Sequence, residues 1–177
     1  MTFELARARA VLERGPSVVQ SLVEGLPADW LEARPTPDDW NAHQVVCHMV
    51  YVEETDWLVR ARMIMEVGAA EPFPPVEHGD QSGRYPGIST AGLASRFAEV
   101  RATNLAALDA MGLGADDLDR RGRHPSLGEV TLRQLLATWV VHDHNHIRQL
   151  QEALAAHYVD EVGPWRAMLG VLDRVVR

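Results

Sequence analysis

Two histidines four residues apart in a helix lie one turn apart on the same face, about 6 Å along the axis. At that spacing both imidazoles can reach one metal ion, as in the zinc proteases that carry H-E-x-x-H. His142 and His146 have this spacing in the run TWVVHDHNHIRQL. The pair alone is weak evidence, because a chain of 177 residues with 8 histidines readily contains one by chance. Helical phase says more. Leu135, Trp139, His142, His146 and Leu150 step by four, three, four and four, so the two histidines take the place of apolar residues on a core-facing stripe. His144 is turned roughly 200° from His142 and falls with Arg148 and Gln151 on the side expected to face water.

A third histidine has the same property. Val45, His48, Val52, Thr55 and Val59 step by three, four, three and four, which places His48 on an inward stripe of an earlier helix. A lone buried histidine is usually a hydrogen-bonded core residue. Three inward histidines on two long helices each need a polar partner, and one divalent transition-metal ion would satisfy all three. Such a site is expected to lose its ion as protons compete for the imidazoles, around pH 6.5 for an unperturbed ring.

The other polar residues have plainer readings. His43 belongs to the first turn of its helix, His78 and His124 to loops, and His157 to a helix end. Glu53, Glu54 and Asp56 read as a solvated charge run that could include a general base, Asp143 as an acid pointing away from His142 and either solvated or engaged with a ligand or another helix, and Cys47 as a small packed hydrophobe. Trp40, Trp57, Trp139 and Trp165 read as core or pocket wall. No G-x-S-x-G, Walker or Rossmann motif occurs. With no assignable general base or nucleophile, catalytic residues other than metal ligands stay unassigned.

Five segments must position these residues. The first spans about 2–26 and is kinked or split at Gly15-Pro16. The proline-rich stretch LPADWLEARPTPDDW should stop any helix. A second helix starts near Asn41, where Asn41 and Gln44 form a capping box, and ends at Gly68. Residues 69–88 form a long crossover connection, and a third helix runs from Ser89 or Thr90 to about Met111. Residues 112–128 read as loop. The fourth helix runs from the N-cap Thr131 to about Tyr158, and a short fifth spans Gly163 to Val175. Period-two alternation is absent, so the expected fold is all-α: one domain over residues 1–177, a four-helix bundle with a long crossover and a short extra C-terminal helix. Loops 27–40 and 69–88 should wall the site.

Composition narrows the function. Apolar residues make up 46% and charged residues 24%, as in a soluble globular protein. A net charge of −8 argues against nucleic acid as a partner. A single cysteine excludes an internal disulfide and a thiolate zinc site. The N-terminus lacks the apolar core of a signal peptide, and no stretch reaches a membrane-spanning length, so a cytoplasmic protein acting on a small molecule is expected. A homodimer is compatible with these features.

The segment DDWNAHQVVCHMVYVEETDW, followed by HPSLGEVTLRQLLATWVVHDHNHIRQLQEAL, resembles the DinB-like (YfiT-like) metalloenzyme superfamily. The resemblance runs from about Leu12 to Leu154. Its most specific part is a histidine in the second helix, His48, with H-D-x-x-H and I-x-Q in the fourth, here His142, Asp143, His146, Ile147 and Gln149. It implies a four-helix bundle with a three-histidine site for nickel or zinc, with His48, His142 and His146 as ligands. It also implies either a metal-dependent hydrolase or an S-transferase that uses a low-molecular-weight thiol. A metal-containing stress-response or binding module without turnover is the competing function.

Overall fold

The computed structural model describes residues 2–175. The first segment is split where Gly15-Pro16 predicts, into α1 (Leu5–Leu12) and α2 (Gly15–Val23), with Pro16 in the opening turn of α2. The next stretch departs from expectation. Pro27 does not stop a helix but caps one, the short α3 (Ala28–Glu32), because a fixed extended backbone suits the residue just before a helix.

The second segment opens on the expected capping box. Asn41 Oδ1 accepts from the Gln44 N–H at 2.8 Å, and Gln44 Oε1 accepts from the Asn41 N–H at 3.1 Å. It is not one helix, however. It breaks at Asp56 into α4 (Ala42–Thr55) and α5 (Trp57–Glu66). The inward stripe ends at Val52: Thr55, in the last turn of α4, is exposed, and the break then resets the helical phase so that Val59 is exposed as well.

The third and fourth long helices match their signals. α6 (Thr90–Ala110) is capped by the Ser89 side chain. α7 (Leu132–Ala155) carries a second reciprocal capping box between Thr131 and Gln134, and a 3-10 turn continues it to Tyr158. α1–α2, α4–α5, α6 and α7 make up the four-helix bundle, with α4 packed against both α6 and α7. Its centre is filled by Trp139, Phe97, Leu93, Leu132 and Leu136, all fully buried. Each such side chain contributes roughly 1.5–3 kcal/mol through removal from water.

Two regions correct the sequence reading. The stretch 112–128 is not all loop: β1 (Arg121–His124) and β2 (Gly128–Thr131) pair as an antiparallel hairpin. The alternation was invisible because β1 reads Arg-Gly-Arg-His and the turn is longer than two residues. Gly122 is required in β1, since a Cβ there would lie 2.5 Å from Phe73 Cζ and 2.7 Å from Ile64 Cγ1. The C-terminal helix is replaced by two 3-10 turns, Gly163–Met168 and Gly170–Leu172. Only Leu172 and Val175 turn inward there, onto Ala156 and Val159. Trp165, expected in a core or wall, is 70% exposed.

The crossover 69–88 is held at several points. Phe73 N–H donates to the Arg123 carbonyl at 2.8 Å. Glu77 N–H donates to the Tyr51 hydroxyl, and Gln44 Nε2 donates to Asp80 Oδ2 at 2.6 Å. The last bond fixes Gln81 beside α4, with consequences for the site. No helix is long and apolar enough to cross a membrane among the described residues.

Candidate metal centre

The stripe of α7 and the stripe of α4 meet at three imidazoles. His48 and His146 are buried and His142 is half-buried. Ring centroids are 4.2 Å apart for His142 and His146, 4.6 Å for His48 and His146, and 5.3 Å for His48 and His142. One ligand atom from each lies within 4.8 Å of the other two. His144 is exposed, as its phase requires.

Hydrogen bonding sets which nitrogen of His48 is available. Gln81, itself buried, donates its Nε2 to the Glu77 carbonyl at 3.1 Å. A carbonyl only accepts, so the amide oxygen is the end that faces His48 Nδ1, at 3.0 Å. His48 therefore carries its proton on Nδ1 and turns the Nε2 lone pair toward His142 Nε2, 3.3 Å away. Two nitrogens held about 2.0–2.1 Å from one ion at a tetrahedral angle are about 3.3–3.4 Å apart. A direct bond between the two rings would account for that pair but leaves His146 without a role. His142 Nδ1 and His146 Nδ1 are buried with no hydrogen-bond partner. Gln149 Oε1, also buried and unpartnered, stands next to His146 without reaching hydrogen-bond alignment, although its proximity favours the protonated ring. The donor set, three imidazoles with no thiolate or carboxylate, suits zinc, nickel or copper.

Aromatic walls close the cluster. The Trp40 ring lies 5.0 Å from His48 and, nearly parallel, 6.3 Å from His146. Trp57 meets His142 edge-on at 5.0 Å and stacks on Trp139. Loops 27–40 and 69–88 thus contribute Trp40 and Gln81, as walls were expected to come from them. Sequence reasoning missed Gln81, which lies in a loop with no periodic signal. Gln81→Leu is expected to weaken metal affinity about 10–100-fold by freeing the His48 ring. Competition with a chromophoric chelator measures this, and an unchanged affinity would remove Gln81 from the site.

Electrostatics keep the cluster neutral. Burial lowers the His48 pKa, opposed in part by the Gln81 bond. His142 is pushed down to about 2, by burial first and then by His146, His48 and Arg101, and His146 to about 4, by burial and then His48. His142 is the most depressed because burial weighs on it first, and the charges of His146, His48 and Arg101 add to that. In the metal-free protein the folded state thus binds fewer protons than the unfolded chain, whose histidines titrate near 6.5. Stability is expected to be flat above about pH 6.5 and to fall as pH drops from there toward about 4, by up to about 1.4 kcal/mol per pH unit for each histidine. Urea midpoints across that range measure it, and an equally steep loss in His146→Leu would refute this assignment. An ion held by these rings would, by the same shifts, be retained below pH 6.5 and lost toward about pH 4, lower than a free imidazole would set.

The surrounding acids depart from the sequence reading. Glu53 is not solvated. It and Asp143 are buried, both paired with Arg101 of α6. Asp56 is buried against Arg60. Glu54 alone of the run sits toward the surface, bonded to Tyr85 and Arg96. His43 is tied to Thr90 and Cys47, and His157 stacks on Trp30. Cys47 is buried as expected, and burial raises its thiol to about 12, so it supplies no thiolate.

Comparison with known proteins adds three findings. A family model described as the DinB superfamily matches residues 11–150. No curated protein matches the chain. Among solved structures, YfiT from Bacillus subtilis, described as a probable metal-dependent hydrolase with an unusual four-helix bundle topology, superposes with a TM-score of 0.69 at 20% identity, over 92% of this chain and 91% of that one. At that identity the likeness is one of fold.

Proposed function

The chain belongs to the DinB superfamily, and on that premise we propose that His48, His142 and His146 hold one nickel or zinc ion in an open, catalytic site that hydrolyses a small molecule. The observation that carries this reading is the convergence of three neutral imidazoles from two helices, with 3.3 Å between His48 Nε2 and His142 Nε2 and the buried Nδ1 of His146 left unpartnered. A structural zinc normally has four protein ligands, and no fourth ligating side chain joins this group among the described residues.

A dication on three neutral ligands, when bound, polarises a carbonyl or phosphoryl oxygen and lowers the pKa of water toward neutrality. The chain's own residues do the rest. Gln81 fixes the His48 ring and its tautomer. Trp40 and Trp57 limit the entry of bulk water from two sides. Glu53 and Asp143 are fully engaged by Arg101, so neither acts as a base. The description of YfiT as a probable metal-dependent hydrolase supports this reading. A low-molecular-weight thiol in place of water rests on the family resemblance; such a thiol has to come from outside, because Cys47 is buried and protonated. The protein is proposed to work as a single cytoplasmic domain without nucleic-acid or membrane partners, as a monomer or homodimer.

The test is chelation followed by a substrate screen. The apolar core extends well beyond the histidines, so removing the ion is expected to leave the helical circular dichroism nearly unchanged with a modest fall in Tm. Loaded protein, purified without a histidine tag, should then hydrolyse members of an ester, amide and phosphoester panel, with and without added thiols, and metal-free protein should not. Loss of most helicity on chelation means a structural site. Metal binding without turnover on any panel means a binding module.

A further inference from the structure

Two arginines are buried among the described residues, and they are satisfied very differently. Arg101 uses its whole guanidinium fork, on Glu53, Asp143 and the Leu12 carbonyl. Arg60 of α5 is almost as enclosed, with 8% of its surface exposed, yet its Nε touches only Asp56 and its two terminal amino groups make no hydrogen bond among the described residues. Even the contact with Asp56 is an ion pair out of hydrogen-bond alignment. The terminal amino groups are not closed off from water, so the open end of the fork is free to take a ligand.

The surroundings are those of a recognition site. The Arg60 guanidinium lies over the Phe73 ring at 5.3 Å, and His124 meets the same ring edge-on at 6.4 Å. Trp57, one helical turn before Arg60 on the same face of α5, touches His142 and has a buried indole N–H with no acceptor. Burial outweighs the ion pair on both partners. Asp56 is pushed up to about 6 and Arg60 is lowered, whereas Arg101 is raised by its two carboxylates despite its burial.

We infer that Arg60 anchors an anionic group, a carboxylate or a phosphate, at a subsite beside Trp57, the residue one helical turn before it that packs on His142. The planar fork matches either group through two parallel bonds, and Asp56 orients it from behind. The substrate class is then a small molecule with its scissile bond at the ion and an anionic end on Arg60. That role as a substrate subsite rests on the hydrolytic reading above, whereas anion binding at Arg60 does not.

The experiment uses metal-free protein, so that an anion cannot bind through the ion. Sodium phosphate and sodium acetate are titrated separately while the indole and imidazole resonances are followed by NMR. Saturable one-to-one binding of at least one anion is expected, with shifts concentrated at Trp57 and His124. Arg60→Gln should weaken it about tenfold or more, and Arg96→Gln, a surface control, should not. Preference for acetate assigns a carboxylate, and preference for phosphate a phosphoryl group. No saturation by either anion, shifts centred elsewhere, or equal binding in Arg60→Gln overturns the inference. If Arg60→Gln fails to fold, Arg60→Lys decides: it keeps the charge without the fork, so weaker binding supports the subsite and undiminished binding overturns it. The metal reading is scored separately, by the metal content of the loaded wild-type protein.

Discussion

His48→Ala or His142→Ala is expected to strip the protein of its metal, while His144→Ala leaves the content nearly intact. The three histidines differ in phase rather than chemistry. His142 and His146 share the core-facing stripe of α7 with Trp139 and Leu150, and His144, rotated by about 200°, is exposed. Each of His48, His142 and His146 supplies a third of the donor set, so deleting one should cost more than the 10–100-fold in affinity typical of losing a supporting residue. Elemental analysis after dialysis reads the difference directly. Equal loss from His144→Ala would show that the exposed side of α7 carries the ion, and the geometry built on His48 Nε2 and His142 Nε2 would be irrelevant to it. The variants should keep their helicity, since burial holds these rings neutral and alanine introduces no charge.

The same case shows what the sequence made legible. Phase along α7 survives because that helix is unbroken over 24 residues, so a step of three or four means one face throughout. Both capping boxes were readable because each is local, involving residues three apart. The family resemblance and the helical phase pointed to the same three histidines independently. What stayed hidden depends on contacts between distant segments. Arg101 sits on α6 beside the apolar stripe, and nothing near it in sequence announces that Glu53 and Asp143 will converge on it. Glu53 looked solvated because it stands in a run of acids, but it falls one turn after the buried Met49 and Val50 on α4, and the packing of α4 on α6 encloses it. Gln81 lies in a crossover whose course is set by Gln44, Tyr51 and Arg123, none of them its neighbours. The hairpin 121–131 escaped because Gly122 is there to admit Phe73, not to alternate polarity.

Arg101→Met is expected to be the most destabilising single change in the protein. Arg101 is 1% exposed and bidentate to both Glu53, at 2.8 and 2.9 Å, and Asp143, at 2.7 and 3.0 Å. It also donates to the Leu12 carbonyl, while Asn104 and Trp139 Nε1 complete the shell of Glu53. One guanidinium therefore ties α1, α4, α6 and α7 together. The fit extends to α2, where a Cβ on Gly15 would lie 2.8 Å from Asp143 Oδ2. Methionine fills similar volume but leaves two carboxylates buried without a cation. Removing one partner of a buried ion pair costs about 3–5 kcal/mol, and here two anions are stranded, against a total stability of about 5–15 kcal/mol for a domain. Urea unfolding should show a loss of about 5 kcal/mol, with Asp143→Asn milder because Arg101 keeps Glu53. The pH dependence supplies an independent sign. Burial already raises the Asp143 carboxyl against the pull of Arg101, and without Arg101 nothing offsets it, so the deficit of Arg101→Met should shrink as pH falls toward the unfolded carboxyl range of about 4. A deficit below about 1 kcal/mol would place the cluster among solvated surface pairs, and the rigidity it lends to Asp143, the residue after His142, would have to come from packing alone.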